Sequence, residues 1–350
     1  MSRLLEDLRI VEHSAFVAAP LGGMTLAQLG AEVIRIDPIG GGIDFRRWPV
    51  AANGMSLYWA GLNKEKRSVA LALDRPEGRE LARAIITAPG PGGGIVLSNL
   101  PPLPGLDFAS LEAARGDLIM LRLVGNRDGT AAVDYTVNAA SGFPLVTGPG
   151  GGPVNHVLPA WDIAAGLYLA AGLLAAERHR ARTGAGQEVV AALADVMLAA
   201  VGNLGYVGDV QINGRARPAL GNDLYGSFGR DFATADGRRV MVIALTPRQW
   251  QALARATGLG ERGDDLLPFP AAAAVALGGE QRGREVKPGG DIPGRQDVVD
   301  RSAARPGDQR KAARRVDRVV DRGAAVAIAD QPQHDHVGAC CLEARVIEAG

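Results

Sequence analysis

One carboxylate in this chain is placed to react. The segment Asn155-His156-Val157-Leu158-Pro159-Ala160-Trp161-Asp162 leads into an uncharged stretch of Ala, Gly, Leu and Tyr over residues 163–176. That stretch reads as a helix buried on most sides. Asp162 then falls at the N-cap, where free backbone N–H groups and the positive end of the helix dipole hold a carboxylate ionised and oriented. A fixed, ionised carboxylate is a nucleophile toward activated acyl groups. It is also an ordinary helix cap, and position alone leaves both readings open.

The surrounding sequence supplies an α/β frame to hold it. Residues 8–12, 32–37, 68–73, 94–98 and 117–124 read as apolar strands, and 20–29 and 76–87 as helices between them. Strands alternating with helices imply an open, Rossmann-like, mostly parallel sheet. Asp37, at the end of the second strand, stands where dinucleotide-binding folds keep an acid for the ribose. The loop Ser14-Ala15-Phe16-Val17-Ala18-Ala19-Pro20-Leu21-Gly22-Gly23 has no G-x-G-x-x-G, so a dinucleotide is disfavoured. The Gly-, Thr- and Pro-rich stretch 125–152 reads as a long surface loop leading to the Asp162 segment. Further on, 228–245 suggests a hairpin around Asp236-Gly237, and 246–257 a helix with Pro247 in its first turn.

Composition narrows the function classes. The 350 residues carry 38 Lys and Arg against 38 Asp and Glu, so no overall field draws the chain to nucleic acid or to an anionic membrane. The only cysteines, Cys340 and Cys341, are adjacent and form neither a disulfide framework nor a metal motif. There is no signal-peptide core near Met1, and no uncharged apolar run of the roughly 18 residues a membrane span needs. A cytoplasmic protein without a nucleic-acid or membrane partner is expected.

Five landmarks in order carry a more specific reading. They are Ala18-Ala19-Pro20-Leu21-Gly22, Leu29 to Ile36, Asn63-Lys64-Glu65-Lys66-Arg67-Ser68, the Asp162 segment, and Arg182-Thr183-Gly184-Ala185-Gly186-Gln187 with the strand after it. Together they resemble the class III CoA-transferases (the formyl-CoA and carnitine-CoA transferase family) over residues 5–259. The resemblance implies a large domain over 1–200 bearing the catalytic Asp, a linker over 201–226, and the start of a smaller α+β domain over 227–262. It also implies interlocked ring homodimers and an acyl-CoA substrate, with no metal and no cofactor beyond the CoA that the substrate brings. In the family chemistry, an Asp attacks the thioester and passes through a mixed anhydride to an aspartyl-CoA thioester. By resemblance Asp162 takes that role.

Segments 14–50, 133–138, 154–162 and 224–232 point within the family to intramolecular transfer, in which CoA leaves C1 of a C5 enedioate (mesaconyl-CoA, or 2-methylfumaryl-CoA) and re-attaches at C4. Transfer between two separate acids is the alternative. Proton-shuttling racemase relatives carry a Gly-His-Asp-x-x-Tyr segment; here Val133 stands at the His position, and valine accepts no proton.

The resemblance further implies CoA contacts from Phe16 and Val17, whose backbone N–H groups are candidate oxyanion donors, from Arg46, Arg47, Lys66 and Arg67 at the phosphates, and from Asn99. Relatives follow that Asn with an Arg; here Leu100-Pro101-Pro102 follows. Pro38 stands where some relatives place a basic residue. Tyr135 and His156 flank the catalytic segment as candidate ligands of a free substrate carboxylate, and His13 reads as strand packing or capping. From Gly263 onward Phe269 is the one aromatic residue, and runs such as 314–322 show no apolar face. Segment 263–350 reads as disordered or, by preference, as a frame-shifted continuation, which would leave an inactive, partly folded CoA-binding fragment as the reading from another class. His334 and His336 lie in it and are assigned nothing.

Overall fold

A computed structural model describes residues 3–148, 152–214, 216, 217, 219, 221, 223, 224 and 226–258. The expectations for segment 263–350 lie outside these residues. The chain divides into two compact units, Met1–Ala219 and Leu220–Gly350.

The first unit holds β1 (Arg9–His13), α1 (Ala18–Gln28), β2 (Glu32–Asp37), α2 (Leu57–Leu62), β3 (Arg67–Ala70), α3 (Pro76–Thr87), β4 (Ile95–Ser98), α4 (Phe108–Glu112), β5 (Ile119–Val124), α5 (Asp134–Ser141), α6 (Phe143–Val146), α7 (Ala160–Thr183), β6 (Gln187–Ala192), α8 (Leu193–Asn203) and α9 (Tyr206–Asn213). Its six strands form one parallel sheet in the order β3-β2-β1-β4-β5-β6. The chain reverses direction across the sheet between β1 and β4. In open α/β sheets that switch point, at the carboxyl ends of the strands, is where ligands bind. The central strands are apolar on both sides: Ile10, Ile95, Leu97, Ile119 and Leu121 are fully buried on one face, and Val11, Val96 and Met120 are buried on the other. One core cluster joins the first set to α1, α7 and α8, and a second joins Val11, Val96 and Met120 to α3 and α4.

The second unit, among the described residues, is an antiparallel hairpin of β7 (Phe228–Ala233) and β8 (Arg239–Ala244), followed by α10 (Pro247–Thr257). Thr246 and Gln249 close a capping box at the start of α10.

Two readings need correction. The supposed loop 125–152 contains α5 and α6, and α5 ends where Gly142 adopts the left-handed conformation that suits a glycine after a helix. The supposed linker 201–226 begins inside α8 and includes α9. Both segments are short and weakly amphipathic, so their helicity comes from packing rather than from a periodic pattern.

The helix α7 is long and apolar enough to cross a membrane by length and composition. Here it forms part of the core, with Leu169 and Leu173 fully buried. Its contact with α1 depends on two glycines. A Cβ on Gly166 would lie 2.6 Å from the Ala18 carbonyl oxygen, and one on Gly22 would lie 2.9 Å from that of Gly166. Gly166→Ala is therefore expected to cost about 1–3 kcal/mol, the usual penalty for overpacking, read as a lowered denaturant midpoint. An unchanged midpoint would show that the helices can separate freely.

Candidate active site

The first turn of α7 is not capped by its own sequence. Pro159 occupies the N-cap and offers no side-chain acceptor. The cap comes from α5: the backbone N–H groups of Trp161 and Asp162 both donate to Asp134 Oδ2, at 2.8 and 3.0 Å. Asp134 is buried, and α5 is started by the Val133 N–H donating to Thr136 Oγ1. The Trp161 indole N–H donates to Asn138 Oδ1 at 3.0 Å, Asn138 Nδ2 donates to Asn155, and His156 Nε2 lies 3.2 Å from the same Asn138 oxygen. Asp134 Oδ1 and His156 Nδ1 are buried and have no partner among the described residues.

This changes the expectation for Asp162. It is the third residue of α7 rather than its N-cap, and its carboxyl is shifted up rather than held down. Burial, then the charge of Asp134, pushes the Asp162 carboxyl up to about 6, with Arg47 pulling the other way. A reaction that needs the ionised form should speed up as pH rises through about 6 and level off above it. Asp134→Asn keeps an oxygen to cap α7 but removes the charge, so the midpoint of that pH profile should move down while the melting temperature holds. An unmoved midpoint would mean that Asp134 does not act on the nucleophile.

The turn from β1 into α1 is fixed by side chains from three other segments. Arg35 on β2 donates to the Ser14 carbonyl at 2.7 Å and to Ser14 Oγ at 2.8 Å. Asn99, just after β4, receives the Ala15 N–H at 2.9 Å and returns its amide N–H to the Ala15 carbonyl at 2.8 Å. Asp44 accepts the Phe16 N–H at 2.6 Å. Phe16 is held at φ 65°, a costly conformation for a residue with a side chain. Its N–H is thus occupied by Asp44 and is not an open oxyanion donor, while Val17 stands at the N-cap of α1.

Beneath this turn lies a buried ionic network. Glu12, Arg35 and Asp37 are at most 3 % exposed. Arg35 reaches Glu12 at 2.7 Å and Asp37 at 2.8 Å, and Lys66 Nζ lies 2.8 Å from the Glu12 carboxylate. Burial pushes the Lys66 amine down to about 8, opposed by Glu12. Gly23 makes room for the network, since a Cβ there would overlap the Glu12 carboxylate.

The structure separates the residues expected at CoA. Lys66 is spent on Glu12, Asn63 and the Pro20 carbonyl. Arg67, at the first residue of β3, pairs in the open with Glu32. Asn99 is committed to Ala15. Arg46 is exposed. Arg47 pairs with Asp44 and lies over the Phe16 and Tyr58 rings, and its charge acts on Asp162. The ribose-acid candidate Asp37 is occupied by Arg35 and Ser68.

A cleft of about 660 Å³ opens at the carboxyl ends of β1 and β2, lined by His13, Ala15, Pro38, Leu73, Arg75 and Leu100 among others. Burial and Arg35 hold the His13 imidazole below its ordinary range. Of the substrate-end candidates, Tyr135 donates to the Val157 carbonyl at 3.1 Å and His156 belongs to the Asn138 cluster. Asp44, Tyr58, Asp134 and Asn138 had no mark in the sequence as site residues. The electrostatics link Tyr58 to Asp44, Arg47, Asp162 and Tyr135, and burial pushes its phenol up to about 12.

The profile of CoA-transferase family III matches residues 5–277, past residue 259, where the resemblance was expected to end. The chain is 59 % identical over 262 residues to a 2-methylfumaryl-CoA isomerase from Chloroflexus aurantiacus, covering 74 % of this chain and 64 % of that protein. It is 31 % identical to a succinate–glutarate CoA-transferase from Agrobacterium fabrum, covering 75 % and 68 %. Among solved structures, a CaiB/BaiF family protein from Brucella suis superposes with a TM-score of 0.62 at 27 % identity, covering 77 % of this chain and 74 % of that one. The chain thus spans about two thirds of the length of the curated relatives it matches.

Proposed function

The chain belongs to CoA-transferase family III, and on that premise we propose that it moves CoA from C1 to C4 of 2-methylfumaryl-CoA by way of an aspartyl-CoA thioester on Asp162. The observation that carries this reading is the placement of Asp162. It is a half-buried carboxylate on the first turn of α7, with a raised pKa and a backbone N–H fixed by Asp134, in a chain 59 % identical to an isomerase of that substrate.

The steps balance. An Asp162 oxygen attacks the C1 thioester carbonyl, and CoA leaves the tetrahedral adduct as thiolate, so that a mixed anhydride of Asp162 and C1 remains. The thiolate attacks the Asp162 acyl carbon and releases the C1 carboxylate. The C4 carboxylate of the same molecule then attacks the aspartyl thioester, CoA thiolate leaves again, and it finally attacks the C4 acyl carbon to free Asp162. A more basic carboxylate is the better nucleophile, which is the use of a carboxyl titrating near 6. The scheme takes nothing beyond the CoA carried by the substrate. The reading extends to a cytoplasmic homodimer with an acyl-CoA as its small-molecule partner.

The test is to incubate the full chain with 2-methylfumaryl-CoA alone and to follow the position of the thioester by chromatography and mass. Conversion to the C4 thioester with no added acid, and no exchange into labelled free mesaconate, is the expected result. Turnover only after succinate, glutarate or another acid is added would establish intermolecular transfer in its place.

A further inference from the structure

We infer that Arg47 reads the free carboxylate of the acyl group, so that this side chain confines the enzyme to dicarboxylic thioesters. The inference rests on the reading of Asp162 as nucleophile, and it adds the residue that selects the substrate.

The geometry starts from Asp44. One oxygen of its buried carboxylate takes the Phe16 N–H, and the other lies 3.2 Å from Arg47 Nη1, so the loop carrying Arg47 is fastened to the start of α1. The guanidinium carbon of Arg47 lies 4.7 Å from the centroid of the Tyr58 ring and 5.6 Å from that of Phe16. Two aromatic contacts and one ion pair hold a side chain that is still 43 % exposed. A guanidinium carries five N–H donors in a fixed fork, and its pairing with Asp44 uses one described bond. The remaining donors match the planar, two-oxygen geometry of a carboxylate, which an ammonium group does not.

Charge makes the same assignment. The charged groups acting on Asp162 are the Asp134 carboxylate from α5 and Arg47 from the 42–47 loop, and Asp162 in turn acts on Tyr58 of α2. A substrate bearing a second carboxylate brings a further negative charge into a space that already holds two. Like charges crowded there repel unless a cation intervenes. Arg47 is a cation whose charge acts on Asp162, whereas Lys66 is buried on Glu12 and Arg67 pairs with Glu32.

The experiment compares two thioesters of equal chain length, succinyl-CoA and butyryl-CoA. It reads the initial rate of acyl capture by hydroxylamine and the mass of the Asp162 adduct. With the wild-type chain the succinyl thioester should be strongly preferred. Arg47→Gln should cut the ratio of the two kcat/KM values by about 100-fold or more, and Arg47→Lys, which keeps the charge but loses the fork, by about 10-fold. Should Arg47→Gln fail to fold, as read by its melt, the ratio for Arg47→Lys decides. Equal losses on both thioesters would mean that Arg47 serves the CoA moiety, and would overturn the inference, as would an unchanged ratio. An adduct that persists in Asp162→Ala would overturn the reading of the nucleophile instead. Those failures are distinguishable, because each follows from a different variant.

Discussion

Asp162→Asn should lower kcat/KM by about 10⁴-fold or more and abolish the covalent adduct, the loss usual when the nucleophile of a covalent mechanism is removed. The substitution is nearly isosteric, and it leaves the first turn of α7 intact, because Asp134 caps that turn through the backbone N–H groups of Trp161 and Asp162. A melt close to that of the wild type should accompany the loss. Intact-mass measurement after incubation with 2-methylfumaryl-CoA and a hydroxylamine quench reads the adduct, and initial rates and a thermal melt read the other two. An adduct still present at residue 162 of the variant, or undiminished turnover, would remove Asp162 from the chemistry.

The second large effect is on stability. Arg35→Met should destabilise the first unit by about 3–5 kcal/mol, since taking one partner from a buried ion pair strands the other charge. Glu12 is 0 % exposed and Asp37 is 3 % exposed, and Arg35 bonds to both. Lys66 alone would remain to neutralise two buried carboxylates. The fall in Tm should be on the order of 10 °C for a unit of this size, read by calorimetry. Arg35→Lys should recover only part of it, because an ammonium cannot span Glu12, Asp37 and the Ser14 carbonyl together. A melt unchanged in Arg35→Met would mean that the network contributes nothing net.

The sheet and its helices were legible in the sequence because their apolar periods are strong. The reading of α3 over 76–87 matches its observed span, and the strand reading of 32–37 matches β2. Asp162 stood out by its place ahead of a chargeless helix. Its ionisation differs from that reading because burial raises its pKa and the charge that adds to this, Asp134, is 28 positions away and comes close only once α5 packs against α7. The basic residues 46, 47, 66 and 67 looked like one cluster because they are near in sequence. Folding sends Lys66 inward to Glu12, Arg67 to Glu32 and Arg47 to Asp44 and the Phe16 and Tyr58 rings. Asn99 was recognisable as a site position, but a lone amide gives no hint that both of its ends will bind one backbone residue, Ala15. Long-range partners of polar side chains are what a one-dimensional pattern does not encode.

The borrowed cap on α7 also bears on the order in which the chain assembles. The body of that helix can form on local propensity and on its contact with α1, but its first turn has no local start signal and must wait for Asp134. Bringing residue 134 to residues 161 and 162 closes a loop of some two dozen residues, an entropic step that the rest of the fold must already favour. The Asp162 carboxylate therefore takes up its half-buried setting only when the α5 segment closes onto α7, and without that contact the first turn of α7 is left uncapped.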